Sequence, residues 1–516
     1  MSVQSRYVAL TAMLFAVAMT FIDQTIVAIA SPSIQSHLGL TRAGTTWAVN
    51  AYLLALAATF ALGGRLADVV GCKRMATIGI IGFAGSSALC GATPATHVAQ
   101  TWLVTCRALQ GVSAAIMVPA ALAIVVSTFP IAERGRALAL FFGVSGGLTA
   151  IGPIAGGFLT QWTWRSIFWI NVPIAVLALI LLARAHVTST RRAERIDYPG
   201  AVLIALGMGL SVFGFEQAGT WGWDSAGTWL CILCGLGVLA AFVRYETRTE
   251  QPLIKIRIFR ERAFVVDNAV LLLSNIAFVP LFFFASLYAQ LVLGYDANQA
   301  GLYLLVIFAG FAPAAQVGGR MLDRGGARRP LILGSALAAV GFGLWAGKVH
   351  DYSLGAQWPF IVMASAGIGL VLTPASTDAV NRAINASYGE VTGITQTVRN
   401  YGSTFGLAVL GTVLTTVFSN HLATSFSSLG IPANAVPDLS QSSGSSQDAL
   451  AAALAALRGP IQTAVQHDFA TGIQAVLIGM SIALGVSFVA ALRHPGRRAY
   501  GATVIAPADS TETVSD

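Results

Sequence analysis

Long apolar blocks, separated by short polar segments that gather nearly all the charge, make up most of this chain. A helix needs about 20 apolar residues to cross ~30 Å of hydrocarbon. Blocks of that length begin near Val8, Trp47, Thr77, Gln100, Arg136, Ile167, Pro199, Thr228, Val265, Gln299, Leu331, Trp358, Gly389 and Ala470. The pattern predicts an all-α integral membrane protein with 14 spans, the one near Thr228 being the shortest. Three stretches fall outside the spans. A basic segment, 184–197, links spans six and seven. A long external loop, 419–468, is Ser-rich first and then Ala-rich, with a possible surface helix over Asp448 to Gln466. The tail from His494 to Asp516 lacks apolar content and is expected to be disordered.

Basic residues test the count, because cytoplasmic segments carry the excess of Lys and Arg. With both termini cytoplasmic, 24 of the 30 Lys and Arg fall inside, and four, Arg42, Arg165, Lys348 and Arg458, fall outside. The other two, Arg107 and Arg399, lie within spans. A wrong span count would scramble this alternation. Composition agrees: of 516 residues, 55% are hydrophobic and 10% charged, with mean hydropathy +0.72, whereas a soluble protein is about 25% charged. So little charge cannot cover a water-soluble globule of this size, so most of the outer surface faces lipid. The net charge of +8 does not signal nucleic-acid binding, since the basic residues sit between apolar blocks without a recognition module. Five cysteines show no framework spacing. Cys231 and Cys234 form a CxxC inside an apolar block and read as small packing residues, with redox or metal chemistry the lesser alternative. Ser2 to Tyr7 is short and polar, and the full-length apolar run after it has no A-x-A site, so it reads as an uncleaved anchor.

An internal repeat organises the spans. Gly64, Leu66, Asp68, Gly71 and Arg74 stand in the loop after span two; Gly319, Met321, Asp323, Gly326 and Arg329 stand after span ten, at an offset of 255 residues. Two matching loops imply halves related by duplication. Residues 1–184 then form one six-helix half and 263–492 the other, with 185–262 contributing a linker and two inserted spans, and 493–516 a cytoplasmic tail.

Charges inside spans are the candidate chemistry. Asp23 is placed about seven residues from the outer end of span one, roughly 10 Å deep at ~1.5 Å per residue. A carboxylate there costs about 2.5–3.5 kcal/mol or more, so it should face a cavity or a partner; a local hydrogen bond or outward snorkelling is the plainer alternative. Span four runs the opposite way and puts Arg107 at similar depth. A cation nearby lowers a carboxyl pKa and its withdrawal raises it, which makes the pair a device for loading and unloading a proton, unless it is purely structural. In span thirteen, Arg399 lies near mid-membrane with Gln396, Asn400, Ser403 and Thr404 beside it at helical spacing, a polar stripe that lines a cavity or glues helices. Gly143, Gly147, Gly152 and Gly156 recur at turn-like spacing in span five, and Pro153 permits a kink. Phe282, Phe283, Phe284 and Tyr288 read as packing residues sooner than as a drug pocket. All seven histidines lie in loops or at helix ends, so no metal or haem cluster is expected inside the membrane. No G-x-x-x-x-G-K-[ST] loop is present to use ATP.

Several segments then carry a resemblance: FIDQTIVAIASP (Phe21 to Pro32), WAVNAYLL (Trp47 to Leu54), GRLADVVGCKR (Gly64 to Arg74), RALQGVSAA (Arg107 to Ala115), GLTAIGPIAGG (Gly147 to Gly157), WRSIFWINVP (Trp164 to Pro173), LYAQLVLGY (Leu287 to Tyr295) and GITQTVRNYGSTFG (Gly393 to Gly406). In this order, over nearly the whole chain, they resemble the major facilitator superfamily, and within it the fourteen-span drug:proton antiporter group of multidrug resistance efflux transporters. Val69 and Cys72 replace the usual basic residues of the Gly64 to Arg74 motif, which weakens the latch it implies there, while the second copy keeps Arg324 after Asp323. The resemblance implies a major facilitator fold and proton-coupled export of drug-like or amphipathic molecules by alternating access, with Asp23 and Arg107 in proton transfer. It implies no cofactor, the proton gradient being the energy source. Gln110, Gln396, Arg399 and Asn400 are expected in the substrate cavity. Gly64, Asp68, Gly71, Arg74, Asp323, Arg324, Gly152, Pro153, Gly156 and Gly157 are expected as conformational motifs, the glycines of span five sealing the path between the halves. No catalytic or metal site is expected. Expected partners are small-molecule substrates, protons and the lipid of the cell membrane, with no nucleic acid, and the protein is expected to be a monomer. Export of one endogenous metabolite, or a non-transporting sensor or scaffold, are the alternatives; buried charge speaks against the last.

Overall fold

The computed structural model describes residues 3–129, 141, 152, 155–185, 187, 196–250, 252–254, 256–382, 388–428 and 460–496. Its helices are α1 (Val3–Leu38), α2 (Arg42–Val70), α3 (Cys72–Gly91), α4 (Ala99–Thr128), the short α5 (Ser166–Trp169) turning into α6 (Asn171–Arg184), α7 (Tyr198–Trp221), α8 (Ala226–Glu246), α9 (Arg262–Leu291), α10 (Ala297–Gly325), α11 (Arg328–Ala346), α12 (Leu354–Arg382), α13 (Tyr388–Ser428) and α14 (Pro460–Leu492). Among the described residues, 12 helical segments are long and apolar enough to cross a membrane. The 20-residue α3 coincides with the third predicted span. The fifth, from near Arg136, lies outside the described residues except for Phe141, Gly152 and 155–162.

Local chemistry sets where these helices begin and end. Asp197 accepts from the Gly200 N–H to open α7, with Pro199 in the first turn. Asp296 and Gln299 form a reciprocal capping box at the start of α10. Large apolar side chains such as Ile78, Leu109, Leu230, Leu233 and Ile482 remain exposed in mid-helix, where only lipid can cover them. Exposed Trp162, Trp221 and Trp358 stand near helix ends, the depth at which an indole meets headgroups.

Two bundles form. In one, α2 and α3 pack along α4, and α1 packs on α6 and α4; in the other, α10 and α11 pack along α12, and α9 on α13 and α14. They meet where α2 runs beside α13 and α1 beside α9. At the end of the bundle opposite the chain termini, Gln290 of α9 donates to the Ile29 carbonyl of α1 at 3.2 Å. The inserted α7 sits in the seam, against both α2 and α13, while α8 packs chiefly on α7. A small apolar cluster of Ala57, Ala58, Ile204, Met208, Val391 and Ile394 joins α2, α7 and α13.

Four expectations are corrected. The repeat motif is not a loop: Gly64 and Asp68 lie in the last turns of α2, and Gly319, Asp323 and Arg324 in α10. The chain turns only at Gly71 and Gly326, whose φ values of 108° and 79° suit residues without a Cβ; Arg74 and Arg329 already belong to the next helices. That both copies break at the same motif position supports the duplication. The first helix does not stop before Pro32. Ser31 bonds back to the Val27 carbonyl at 2.9 Å, Pro32 is held inside the helix, and α1 continues 15 residues past Asp23 to Leu38, roughly 22 Å at ~1.5 Å per residue. The loop 419–468 is shortened from both sides, since α13 reaches Ser428 and α14 starts at Pro460; 429–459, with most of the expected surface helix, lie outside the described residues. The tail does not leave the bundle at His494, which is buried because Asp267 and Asp378 hold it; 497–516 lie outside the described residues.

Candidate functional site

At the heart of the first bundle, Asp23, Arg107 and Gln110 are buried to 0%, 1% and 0% exposure. Arg107 Nη1 donates to Asp23 Oδ2 and, at 2.7 Å, to Gln110 Oε1. Gln110 Nε2 donates to Asp23 Oδ1 at 3.0 Å, and Arg107 Nε to the Ala48 carbonyl at 2.8 Å. The Tyr52 ring lies 4.4 Å from the guanidinium carbon, a cation–π contact in a dry setting. Three helices therefore cooperate: α1 supplies the acid, α4 the base and amide one turn apart, and α2 a carbonyl and a ring at i and i+4. Close approach of α2 and α4 is possible because Gly111 has no side chain; a Cβ there would collide with the Tyr52 carbonyl.

Span five closes on this centre. A Cβ on Gly152 would collide with Thr25 Oγ1 and lie 3.0 Å from the Ile22 carbonyl, two positions that flank Asp23. One on Gly156 would lie 3.0 Å from Ile26 Cγ1. Gly157 faces the other bundle, where a Cβ would come within 2.7 Å of the Ala297 carbonyl. Pro153, Gly143 and Gly147 lie outside the described residues. Gly64 has room, its nearest neighbour Pro119 Cβ at 3.8 Å. Asp68 is half-buried and has a partner, whereas Arg74, Asp323 and Arg324 are exposed.

The other expected residues separate. Gln110 joins the charge centre, and Arg399 stands in the second half, where its Nη1 donates to Gln396 Oε1 at 2.9 Å. Arg399 forms no ion pair among the described residues, and its Nε and Asn400 Nδ2 have no hydrogen-bond acceptor there. Ser403 and Thr404 bond back to the Arg399 and Asn400 carbonyls on their own helix. Phe282, Phe283, Phe284 and Tyr288 are buried core; Tyr288 donates to the Val349 carbonyl and accepts from Gln357 Nε2, both at 2.7 Å. The cysteines are free, Cys234 exposed.

Sequence reasoning missed two groups. Glu216 of α7 is almost fully buried and accepts from Asn50 Nδ2 of α2 at 3.0 Å; an acid inside an apolar block is its signal in the sequence. The second is Asp267, Asp378 and His494, whose ligand atoms lie within 4.8 Å of one another. His494 Nε2 is 3.4 Å from Asp267 Oδ1 and 3.2 Å from Asp378 Oδ2, so helix-end histidines do not preclude a buried cluster, as had been expected. Burial alone pulls the His494 pKa down, but hydrogen bonds and charge from the two carboxylates outweigh it and hold it above the ordinary value. No signal in sequence brings residues 267, 378 and 494 together.

Two helical bundles of membrane-spanning length, with a buried acid–guanidinium pair in one and Gly157 facing the other, have the form of a secondary transporter. The chain matches the Major Facilitator Superfamily over residues 13–407, and it is a member of that family. It is 34% identical over 428 residues to a puromycin resistance protein of Streptomyces alboniger, covering 81% of this chain and 84% of the relative. It is 32% identical over 410 residues to a tetracenomycin C resistance and export protein of Streptomyces glaucescens, covering 78% and 75%. In fold it is similar to a bacterial homologue of the human lysosomal transporter Spinster in its inward-facing, unoccupied conformation, with TM-score 0.61 at 15% identity, over 96% of this chain and 98% of that one.

Proposed function

We propose that this protein is a proton-coupled antiporter that exports drug-like or amphipathic small molecules across the cell membrane by alternating access. One observation carries the reading: an aspartate and an arginine buried in the helix bundle, paired with each other and with one amide. A buried pair of this kind is weak evidence for stability, whereas a carboxyl whose pKa rises when its cation is withdrawn can take a proton on one side of the membrane and lose it on the other. Asp23 is the proton carrier in this reading and Arg107 the group that sets when it loads. Gly152 and Gly156 let span five slide against α1 beside Asp23, and Gly157 closes on α10, so rocking of the halves reaches the charge centre directly. Gln396, Arg399 and Asn400 contribute to the substrate path, with both termini cytoplasmic as the basic residues indicate and the protein acting as a monomer.

The energetics suffice. One proton moving down ~100 mV yields about 2.3 kcal/mol, which at about 1.4 kcal/mol per tenfold sustains a roughly 40-fold gradient of a neutral compound. The names of the relatives, puromycin resistance and tetracenomycin C resistance and export, support drug-like substrates, and the second, which names one exported compound, also favours a narrower reading, export of one specific metabolite. Reconstituted vesicles test the common core: adding substrate should collapse a pre-formed pH gradient. Substrate movement that leaves the pH gradient untouched would make the protein a uniporter.

A further inference from the structure

We propose that Glu216 of the inserted helix α7 is a second proton-binding carboxyl, so that two protons are exchanged per substrate. The inference rests on the proton-coupled reading above and adds a site to it. Glu216 stands inside a membrane-spanning segment and forms no ion pair among the described residues. An isolated carboxylate is disfavoured at that depth, so the neutral acid is the form this setting holds. Its partner says the same. Asn50 is wholly buried; its Nδ2 donates to Glu216 Oε2, and its Oδ1 is buried with no donor. A carboxylate has no hydrogen to give, whereas a protonated carboxyl has one O–H and supplies the donor that Asn50 Oδ1 lacks.

The placement ties this carboxyl to the transport cycle. Ala48 and Tyr52, on one face of α2, hold Arg107; Asn50, between them in sequence, turns to the opposite face and holds Glu216. Asn50 and Arg107 each lie eight residues from the outer ends of their helices, so the two carboxyls are at similar depth with α2 between them. On its other side α7 is bound to the second half: Ser211 Oγ and Tyr401 Oη share a hydrogen bond at 2.8 Å, and Thr412 Oγ1 donates to the Phe215 carbonyl at 3.0 Å. The Glu216–Asn50 bond thus spans from a helix fastened to one half onto a helix of the other. Rocking of the halves strains or parts it, and the carboxyl gives up its proton when it meets water on the inner side. Charged and titratable groups on the packed elements are, by position, Tyr388, Glu390, Arg399, Tyr401 and His421 on α13, Arg42, Tyr52, Arg65 and Asp68 on α2, Asp197 and Tyr198 at the far end of α7, and Cys231, Cys234, Arg244, Tyr245 and Glu246 on α8. The step itself is a proton joining a carboxylate outside and leaving it inside, with no other bond changed.

Glu216→Gln tests the idea, because glutamine has the shape of the protonated acid and keeps an amide pairing with Asn50. Infrared spectroscopy of the full-length protein in lipid nanodiscs at pH 7 should show the carbonyl stretch of a protonated carboxyl in the wild type and in Asp23→Asn, and lose it in Glu216→Gln. A band absent from the wild type, or unchanged in Glu216→Gln, overturns the proposal even if no transport substrate has been found. For a substrate that the wild type exchanges for protons in vesicles, the proton-to-substrate ratio should fall by half in Glu216→Gln. For a monovalent cation at equal pH on both sides, an imposed potential of about 100 mV should drive roughly 40-fold accumulation by the wild type and none by the variant. An unchanged ratio overturns the second site while leaving the antiporter reading intact; no exchange by the wild type overturns the antiporter reading, and the infrared band still decides this one.

Discussion

Replacing Asp23 by asparagine removes one charge and almost no volume. In the wild type the hydrogen bonds of the centre run in a consistent sense: Arg107 donates to Asp23 and to Gln110 Oε1, and Gln110 Nε2 donates to Asp23. Asparagine breaks that sense. If its Oδ1 accepts from Arg107, its amide group faces Gln110 Nε2; if it is turned over, it faces the guanidinium; and flipping Gln110 only moves the conflict. One donor is left unsatisfied, at a cost of about 1–3 kcal/mol. The guanidinium also loses its counter-charge, a change that costs about 3–5 kcal/mol where nothing else holds the remaining ion. Here the Ala48 carbonyl, Gln110 and the Tyr52 ring retain it, so the smaller figure applies and the protein stays folded in the membrane. Coupling through this site, by contrast, is lost outright, since asparagine cannot bind and release a proton. The assay is accumulation of substrate in inverted vesicles across one pH unit, worth about 1.4 kcal/mol or tenfold per proton. The tenfold gradient that the Asp23 proton contributes should be lost, leaving what any remaining carboxyl sustains, and the pH dependence of the rate should weaken accordingly. Folded Asp23→Asn protein with wild-type pH dependence would refute the reasoning.

Three further outcomes follow from other parts of the molecule. Gly152→Ala drives a methyl into Thr25 and toward the Ile22 carbonyl, an overpacking of about 1–3 kcal/mol; transport should fall at least tenfold and be partly restored by Thr25→Ala, and no rescue would mean that the contact is not the cause. Arg399→Gln leaves no stranded carboxylate among the described residues, so thermal stability in detergent should change little; loss of a charge-assisted hydrogen bond of about 1.5–3 kcal/mol should raise the apparent KM of acidic substrates by tenfold or more and spare neutral ones. An equal effect on both would remove Arg399 from substrate recognition. For His494, whose pKa is raised in the folded protein, the stabilisation is fully present below the unfolded value of about 6.5 and is lost as pH rises through the folded value. The destabilisation caused by His494→Gln, measured by thermal unfolding, should therefore be largest near pH 6 and shrink on the alkaline side; a constant difference from pH 6 to 9 would show that the imidazole is held neutral.

Sequence alone determined the membrane, the approximate spans and the identity of one charged pair, because each rests on a one-dimensional quantity. Hydrocarbon thickness sets the length of an apolar run, loop charge sets its direction, and the expense of burying a carboxylate singles out Asp23 wherever its helix lies. Helix ends were legible only where a cap or a glycine marked them. Asp23 read as about seven residues from the end of its helix, yet α1 passes through Ser31 and Pro32 because a membrane helix can satisfy a freed carbonyl or hydroxyl on itself. What the tertiary structure decided is which polar groups share a site. Gln110 meets Asp23 across 87 positions of chain, Glu216 meets Asn50 across 166, and His494 comes back between Asp267 and Asp378. Such meetings depend on helix rotation and crossing, which small residues like Gly111 and Gly152 set through contacts of a few ångströms, and no periodicity along a single helix records which neighbour lies on its polar side.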